Sequence, residues 1–142
     1  VNAPHLAKEA GIEIVDARST RTGGFSSLIR LSVVGSDGER SVAGAMFGED
    51  DYRIVAIDQH HVETVPEGHI LVILNEDKPG VIATLGQVLA DAGINIAMMN
   101  LSRRKIQGKA ISLINVDSEI PESVLETLRQ KENFLSAVQV SL

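Results

Sequence analysis

The sequence predicts an α+β chain: a small, mostly antiparallel β unit with one helix over residues 1–66, then a βαββαβ unit over residues 67–142. Three observations predict it. The hydrophobic period changes at Pro66-Glu67-Gly68, from short strand-like runs to a continuous apolar run followed by helical spacing. Turn-forming residues separate the runs at regular intervals. The chain has 142 residues, enough for one ordinary domain or two small ones sharing a surface.

In the first unit, Asn2 is a candidate N-cap for a short helix over 2–10, Pro4 suits its first turn and Gly11 ends it. Strand-like runs follow over 12–17, 28–34, 41–48, 53–57 and 61–65. Gly23-Gly24 reads as a flexible turn, and Ser36-Asp37-Gly38-Glu39 as a hairpin turn, since Asp-Gly readily takes the positive φ that such turns need. Asp58-Gln59-His60 separates the last two strands.

In the second unit, the apolar run 69–74 suits a central strand buried on most of both faces. Asn75 to Gly80 carries turn chemistry. Val81, Ile82, Leu85, Val88, Leu89 and Ala92 recur at helical spacing until Gly93. A strand over 94–102, a polar turn over 103–108 and a return strand over 110–116 follow. Pro121 opens a second helix with Val124, Leu125 and Leu128 on its inner face. The strand 134–142 closes the unit, Val138, Val140 and Leu142 alternating with Gln139 and Ser141. Two βαβ-type crossovers flanking a hairpin give a four-stranded antiparallel sheet with both helices on one face. The other face must be covered by the N-terminal half or by a second copy, so a homodimer is expected.

Composition excludes several classes. Without cysteine there is no disulfide framework, iron–sulfur cluster, thiolate zinc site or cysteine nucleophile. With a net charge of -6 and 3% aromatic residues, neither a broad nucleic-acid surface nor a base-stacking platform is expected. No apolar run approaches the roughly 20 residues of a membrane span, and no leader is visible, so a cytoplasmic protein is expected. Neither dinucleotide nor phosphate-loop glycine motifs are present, nor a G-x-S-x-G elbow. No nucleophile–base pair or paired carboxylate stands out, so no catalytic residue is assigned. His5, His60, His61 and His69 lack metal-ligand spacing, and no metal or cofactor is assigned to the chain. Arg103-Arg104-Lys105, the dense basic run, reads as a solvated turn.

Asn75 to Gly80 is the most informative stretch. It joins a buried strand to a helix N-terminus, where free N–H groups and the helix dipole favour an anion such as a carboxylate. Gly80 has no Cβ, so a ligand can approach the backbone. Asp77 can accept from an ammonium group, and the Asn95 amide both donates and accepts. An α-amino acid presents that pair of charges on one carbon. The plainer alternative is that Asp77 only caps the helix and Asn95 only caps a turn.

At these residues the chain resembles a known family. Asn75-Glu-Asp-Lys-Pro-Gly80-Val-Ile and Ala92-Gly-Ile-Asn-Ile-Ala97 are similar to the signature of the ACT domain, a ferredoxin-like βαββαβ amino-acid-sensing module. Val1-Asn-Ala-Pro4, Ser41-Val-Ala-Gly44, Met46-Phe-Gly48 and Arg53-Ile-Val-Ala-Ile-Asp58 resemble the intervening, allosteric substrate-binding domain found in the longer D-3-phosphoglycerate dehydrogenases.

The resemblance implies the regulatory tail of an NAD-dependent oxidoreductase that opens L-serine biosynthesis, its catalytic and NAD-binding domains lying upstream of Val1. It implies that L-serine, or another small amino acid, binds near an interface between the ACT domains of two subunits. The contacts would be Asn75, Asp77 and Asn95, with backbone from Pro79, Gly80, Val81 and Ile82. It also implies an anion site in the first unit, with Arg53 and His61 at positions that are basic in relatives. Relatives often carry His or Tyr where this chain has Asn75. Two other arrangements share the architecture: the regulatory part of an iron–sulfur L-serine dehydratase, and a stand-alone binding or oligomerisation module.

Overall fold

The computed structural model describes residues 2–19, 25, 27–36, 38–48 and 50–142. The predicted Gly23-Gly24 turn, the central Asp37 of the predicted hairpin turn and Val1 lie outside the described residues.

The elements run α1 (Ala3–Glu9), β1 (Ser27–Gly35), β2 (Gly38–Met46), β3 (Tyr52–Ile57), β4 (His60–Thr64), β5 (His69–Glu76), α2 (Val81–Asp91), β6 (Ile96–Arg103), β7 (Lys109–Val116), α3 (Glu122–Arg129) and β8 (Phe134–Ser141). Two four-stranded sheets result, ordered β1-β2-β3-β4 and β6-β7-β5-β8, with every pairing antiparallel. The chain is α+β, and its second sheet with α2 and α3 is the βαββαβ unit that the periodicity predicts.

Side-chain alternation along β5 divides its burial between two cores. Leu71 and Ile73 turn to the helices and join Val81, Leu85 and Leu89 of α2, Leu125 and Leu128 of α3, and Ile114 and Val116 of β7. Ile70 turns the other way and joins Ile111 and Leu113 of β7 with Val62 of β4. The face without helices is therefore covered in part by the N-terminal half. Beyond that cover, Val138 and Val140 of β8, opposite Val72 and Ile70, remain exposed.

Differences from the sequence reading have local causes. Residues 12–17 form no strand; Ile12, Ile14 and Val15 pair with no described strand and stay exposed. Alternation alone does not make a strand when no neighbour accepts its backbone groups. Asn2 precedes α1 but its side chain makes no capping bond. Ile82 is 44% exposed, because it sits about 100° from the Val81–Leu85–Leu89 stripe. Asn75, Glu76 and Arg103, expected in turns, extend β5 and β6 instead. Ile94 precedes β6 as a buried plug under the helices.

Polar contacts fix how the halves meet. Thr64, fully buried, donates through Oγ1 to Asn115 Oδ1 at 2.5 Å, and Asn115 Nδ2 donates to the Val65 carbonyl at 3.1 Å. Thr64→Val keeps the shape and removes the donor, leaving the half-buried Asn115 Oδ1 unpaired. It is expected to lower stability by about 1–3 kcal/mol, read as a reduced urea midpoint at unchanged slope, with Thr64→Ser close to the parent. Among the described residues no helix is long and apolar enough to cross a membrane.

Candidate functional site

The corner where β5 gives way to α2 is built from backbone bonds. Glu76 N–H donates to the Asn133 carbonyl at 2.9 Å, and Asp77 N–H to the Gly108 carbonyl at 2.8 Å. The backbone then turns, Lys78 N–H donating to the Glu76 carbonyl at 2.9 Å. Gly80 enters α2 with φ 90°, a conformation that favours glycine, and no atom lies within 4 Å of where its Cβ would stand. No side chain caps α2, so its first-turn N–H groups have no side-chain partner.

The named side chains occupy distinct environments. Asn75 is 2% exposed; its Nδ2 donates to the Glu76 carbonyl at 2.7 Å, while its buried Oδ1 has no hydrogen-bond partner. Asp77 does not cap the helix: its Oδ2 accepts from Arg103 Nη1 at 2.8 Å. Glu76 and Lys78 pair at 2.7 Å, and the lysine holds the Glu76 carboxyl below its ordinary range. Pro79 and Gly80 are exposed, and Val81 is buried under the sheet.

Asn95 lies elsewhere in the chain. Its Nδ2 donates to Asp117 Oδ2 at 2.7 Å, just before Ile96, which pairs with Val116. Asn75 pairs with Ala110 at the other end of the same strand β7. The two asparagines are thus separated by about 20 Å, the length of that strand. Within one chain, Asn75 and Asp77 share a corner and Asn95 does not.

Arg53, on β3, is held by Asp51 at 2.5 Å and lies 3.7 Å from Glu63. The bond to Asp51 raises its pKa above the ordinary arginine value, so its charge is already matched by carboxylates. His61 is exposed on β4, opposite Ala56. Among the described residues no group of three or more His, Asp or Glu is placed to hold a metal.

Sequence reasoning missed a second feature. The β3–β4 turn meets the β6–β7 hairpin, where Arg104 Nη1 donates to Gln59 Oε1. Between them lies an open groove of about 720 Å³ lined by His60, Glu76, Arg104, Lys105 and Lys109 among others. The signal in the sequence was the density of charge in Arg103-Arg104-Lys105; its opposing wall comes from residues about 45 positions earlier, as the Gln59–Arg104 separation shows.

Comparison with known proteins agrees with this architecture. The ACT domain family matches residues 69–133, and the D-3-phosphoglycerate dehydrogenase intervening domain matches residues 1–58. A D-3-phosphoglycerate dehydrogenase of Archaeoglobus fulgidus is 35% identical over 144 aligned positions, covering all of this chain and 27% of that protein. Those of Methanocaldococcus jannaschii and Synechocystis are 31% and 30% identical over 142 positions, again over the whole chain. The chain spans about a quarter of the length of these relatives, 26–27%. An intervening-domain match is thus followed by an ACT match, and the whole chain is similar to about a quarter of these D-3-phosphoglycerate dehydrogenases.

Proposed function

We propose that this chain is the C-terminal regulatory part of a cytoplasmic, NAD-dependent D-3-phosphoglycerate dehydrogenase, divided near residue 66 into an intervening domain and an ACT domain, and that it senses L-serine. The observation that carries the serine reading is the uncapped N-terminus of α2 beside Asn75, whose buried Oδ1 lacks a donor. The ligand's carboxylate would lie on the first-turn N–H groups near Gly80 to Ile82, where the helix dipole favours negative charge. Its ammonium would donate to Asn75 Oδ1 and to the carboxylate of Asp77, whose Oδ2 accepts from Arg103. Leaving a buried carbonyl oxygen unpaired costs free energy, so a donor arriving there is favoured.

The distance to Asn95 makes the proposed site a property of two chains. A two-fold axis that sets two sheets antiparallel would bring the Asn95 end of one copy to the Asp77 end of the other. Serine would then stiffen the dimer, and the restraint would reach the catalytic domains through the segment around Pro66-Glu67-Gly68. It shifts that equilibrium only by its differential affinity for the two arrangements. The intervening-domain match at residues 1–58 favours this reading over a serine dehydratase or a stand-alone module.

A thermal-shift series with serine, glycine, alanine and 3-phosphoglycerate tests the proposal. Serine at a hundredfold excess over Kd should stabilise the protein by about 2.7 kcal/mol. The absence of any serine response at millimolar concentration would remove the proposal.

A further inference from the structure

We propose that the first sheet continues into a second copy of this chain, β1 pairing antiparallel with its own counterpart across a two-fold axis at Leu31. The pairing is independent of the serine reading, whose contacts all lie in the second unit.

An open edge is the first argument. Of the two outer strands of the first sheet, β4 is covered: Val62 packs with Ile111 and Leu113 of β7, and Thr64 donates to Asn115. Among the described residues β1 pairs with β2 alone. Its outer side is therefore a row of backbone N–H and C=O groups without a strand partner, a template for another strand. Edges that must stay single are guarded by proline, by a bulge or by an outward charge. Proline is absent from β1, and its register with β2 runs from Ser27 to Gly35 without a shift, whereas the β2–β3 and β3–β4 pairings are both interrupted. The one charge on β1 is turned inward, Arg30 Nη1 donating to Ser41 Oγ of β2 at 3.3 Å.

Self-complementarity selects the occupant. An axis at Leu31 sets all nine residues of one β1 against all nine of the other. Leu31 then meets Leu31, Ile29 meets Val33, Leu28 meets Val34 and Arg30 meets Ser32. Ile29, Leu31 and Val33 share one face and are 63–76% exposed, so the pairing joins them with their counterparts in one apolar ladder. No like charges stand opposite each other. An axis at Arg30 would oppose two guanidinium groups. An axis at Ser32 would set Arg30 against Val34 and leave Ser27 and Leu28 unpaired.

Charge supports the same edge. Each copy carries a net charge of -6, so two copies repel over most of their surfaces. The strand β1 contains no carboxylate, which makes it a place where copies can approach.

Cysteine cross-linking of the 142-residue protein tests the register, because the chain has no cysteine of its own. Leu31→Cys should give a disulfide-linked dimer on oxidation with diamide, since the Cα atoms of opposed residues lie about 4.5–5.5 Å apart, within the reach of a disulfide. Val34→Cys, 79% exposed but opposite Leu28, should link far more slowly. Ile29→Cys and Val33→Cys should link with each other when mixed and far less when alone. Intact mass under non-reducing conditions reads all four. Sedimentation equilibrium is the second measurement: Leu31→Lys opposes two ammonium groups at the axis and should halve the mass seen for the parent at equal concentration. The exposure of Leu31 lets that variant fold, which its melting point checks. Cross-linking of Leu31→Cys no faster than that of Val34→Cys, or an unchanged mass in the folded Leu31→Lys variant, would overturn the pairing and leave the edge to another occupant, such as residues 12–17 of the chain itself.

Discussion

Leu71→Ala is expected to destabilise the protein by about 2–5 kcal/mol, the cost of deleting a fully buried leucine and leaving a cavity. Leu71 is 0% exposed at the middle of β5, opposite Ile114 of β7 and Gln139 of β8. It packs in the same cluster as Leu85, Leu89 and Leu128 from both helices. Rigid strands on either side and two helices above leave little freedom to collapse into the space. Domains of this size are stable by only about 5–15 kcal/mol, so the variant gives up a large share of the total. Urea unfolding followed by far-UV circular dichroism measures the effect. Ile82→Ala, at an exposed position on α2, is the contrast: it should cost under about 1 kcal/mol. Equal losses at the two sites would mean that the burial assigned to β5 is wrong.

The second half of the fold was legible because its signals are local. A run of apolar residues at 69–74, helical spacing from Val81 and a stop at Gly93 each depend on neighbours in sequence. Residues 12–17 show the limit of such signals. Ile12 and Ile14 alternate as a strand would, but pairing depends on partners the local pattern does not name. Much of β1 has the same problem: Ile29, Leu31 and Val33 share a face that turns away from the alanine-lined core of β2 and is exposed.

The corner between β5 and α2 was partly legible. Proline, glycine and acidic residues at a strand-to-helix junction mark it from sequence alone, whereas the destinations of its side chains do not follow from their identities. Asp77 lies where a capping residue is expected, yet its carboxylate goes to Arg103, 26 positions away. The missing donor at Asn75 Oδ1 appears only when β5, β7 and β8 close around it. Likewise the basic hairpin becomes a groove only when Gln59 docks against Arg104. Both features depend on contacts between residues far apart in sequence, which periodicity does not encode.

Mixing the Asp77→Ala variant with the Asn95→Ala variant is expected to restore serine binding that neither has alone. The reason is geometric. The register of β7 puts Asn75 and Asp77 about 20 Å from Asn95 within one subunit, too far for one amino acid to touch both. If serine needs all three, each site takes its acidic corner from one copy and its Asn95 from the other. In a symmetric homodimer of either variant, both sites then lack one contact. In the mixed dimer one site lacks both contacts and the other is intact. Random subunit exchange makes half of the dimers mixed, so the mixture should recover about a quarter of the parent's sites. Isothermal calorimetry reads this directly as a stoichiometry, with the parent affinity retained at the recovered sites. A ligand held wholly within one subunit gives a different result, since exchange would rescue nothing. Silence in a mixture whose exchange is confirmed by mass spectrometry would therefore reject the two-chain site. A serine response in the Asp77→Ala variant by itself would reject the role given to that carboxylate.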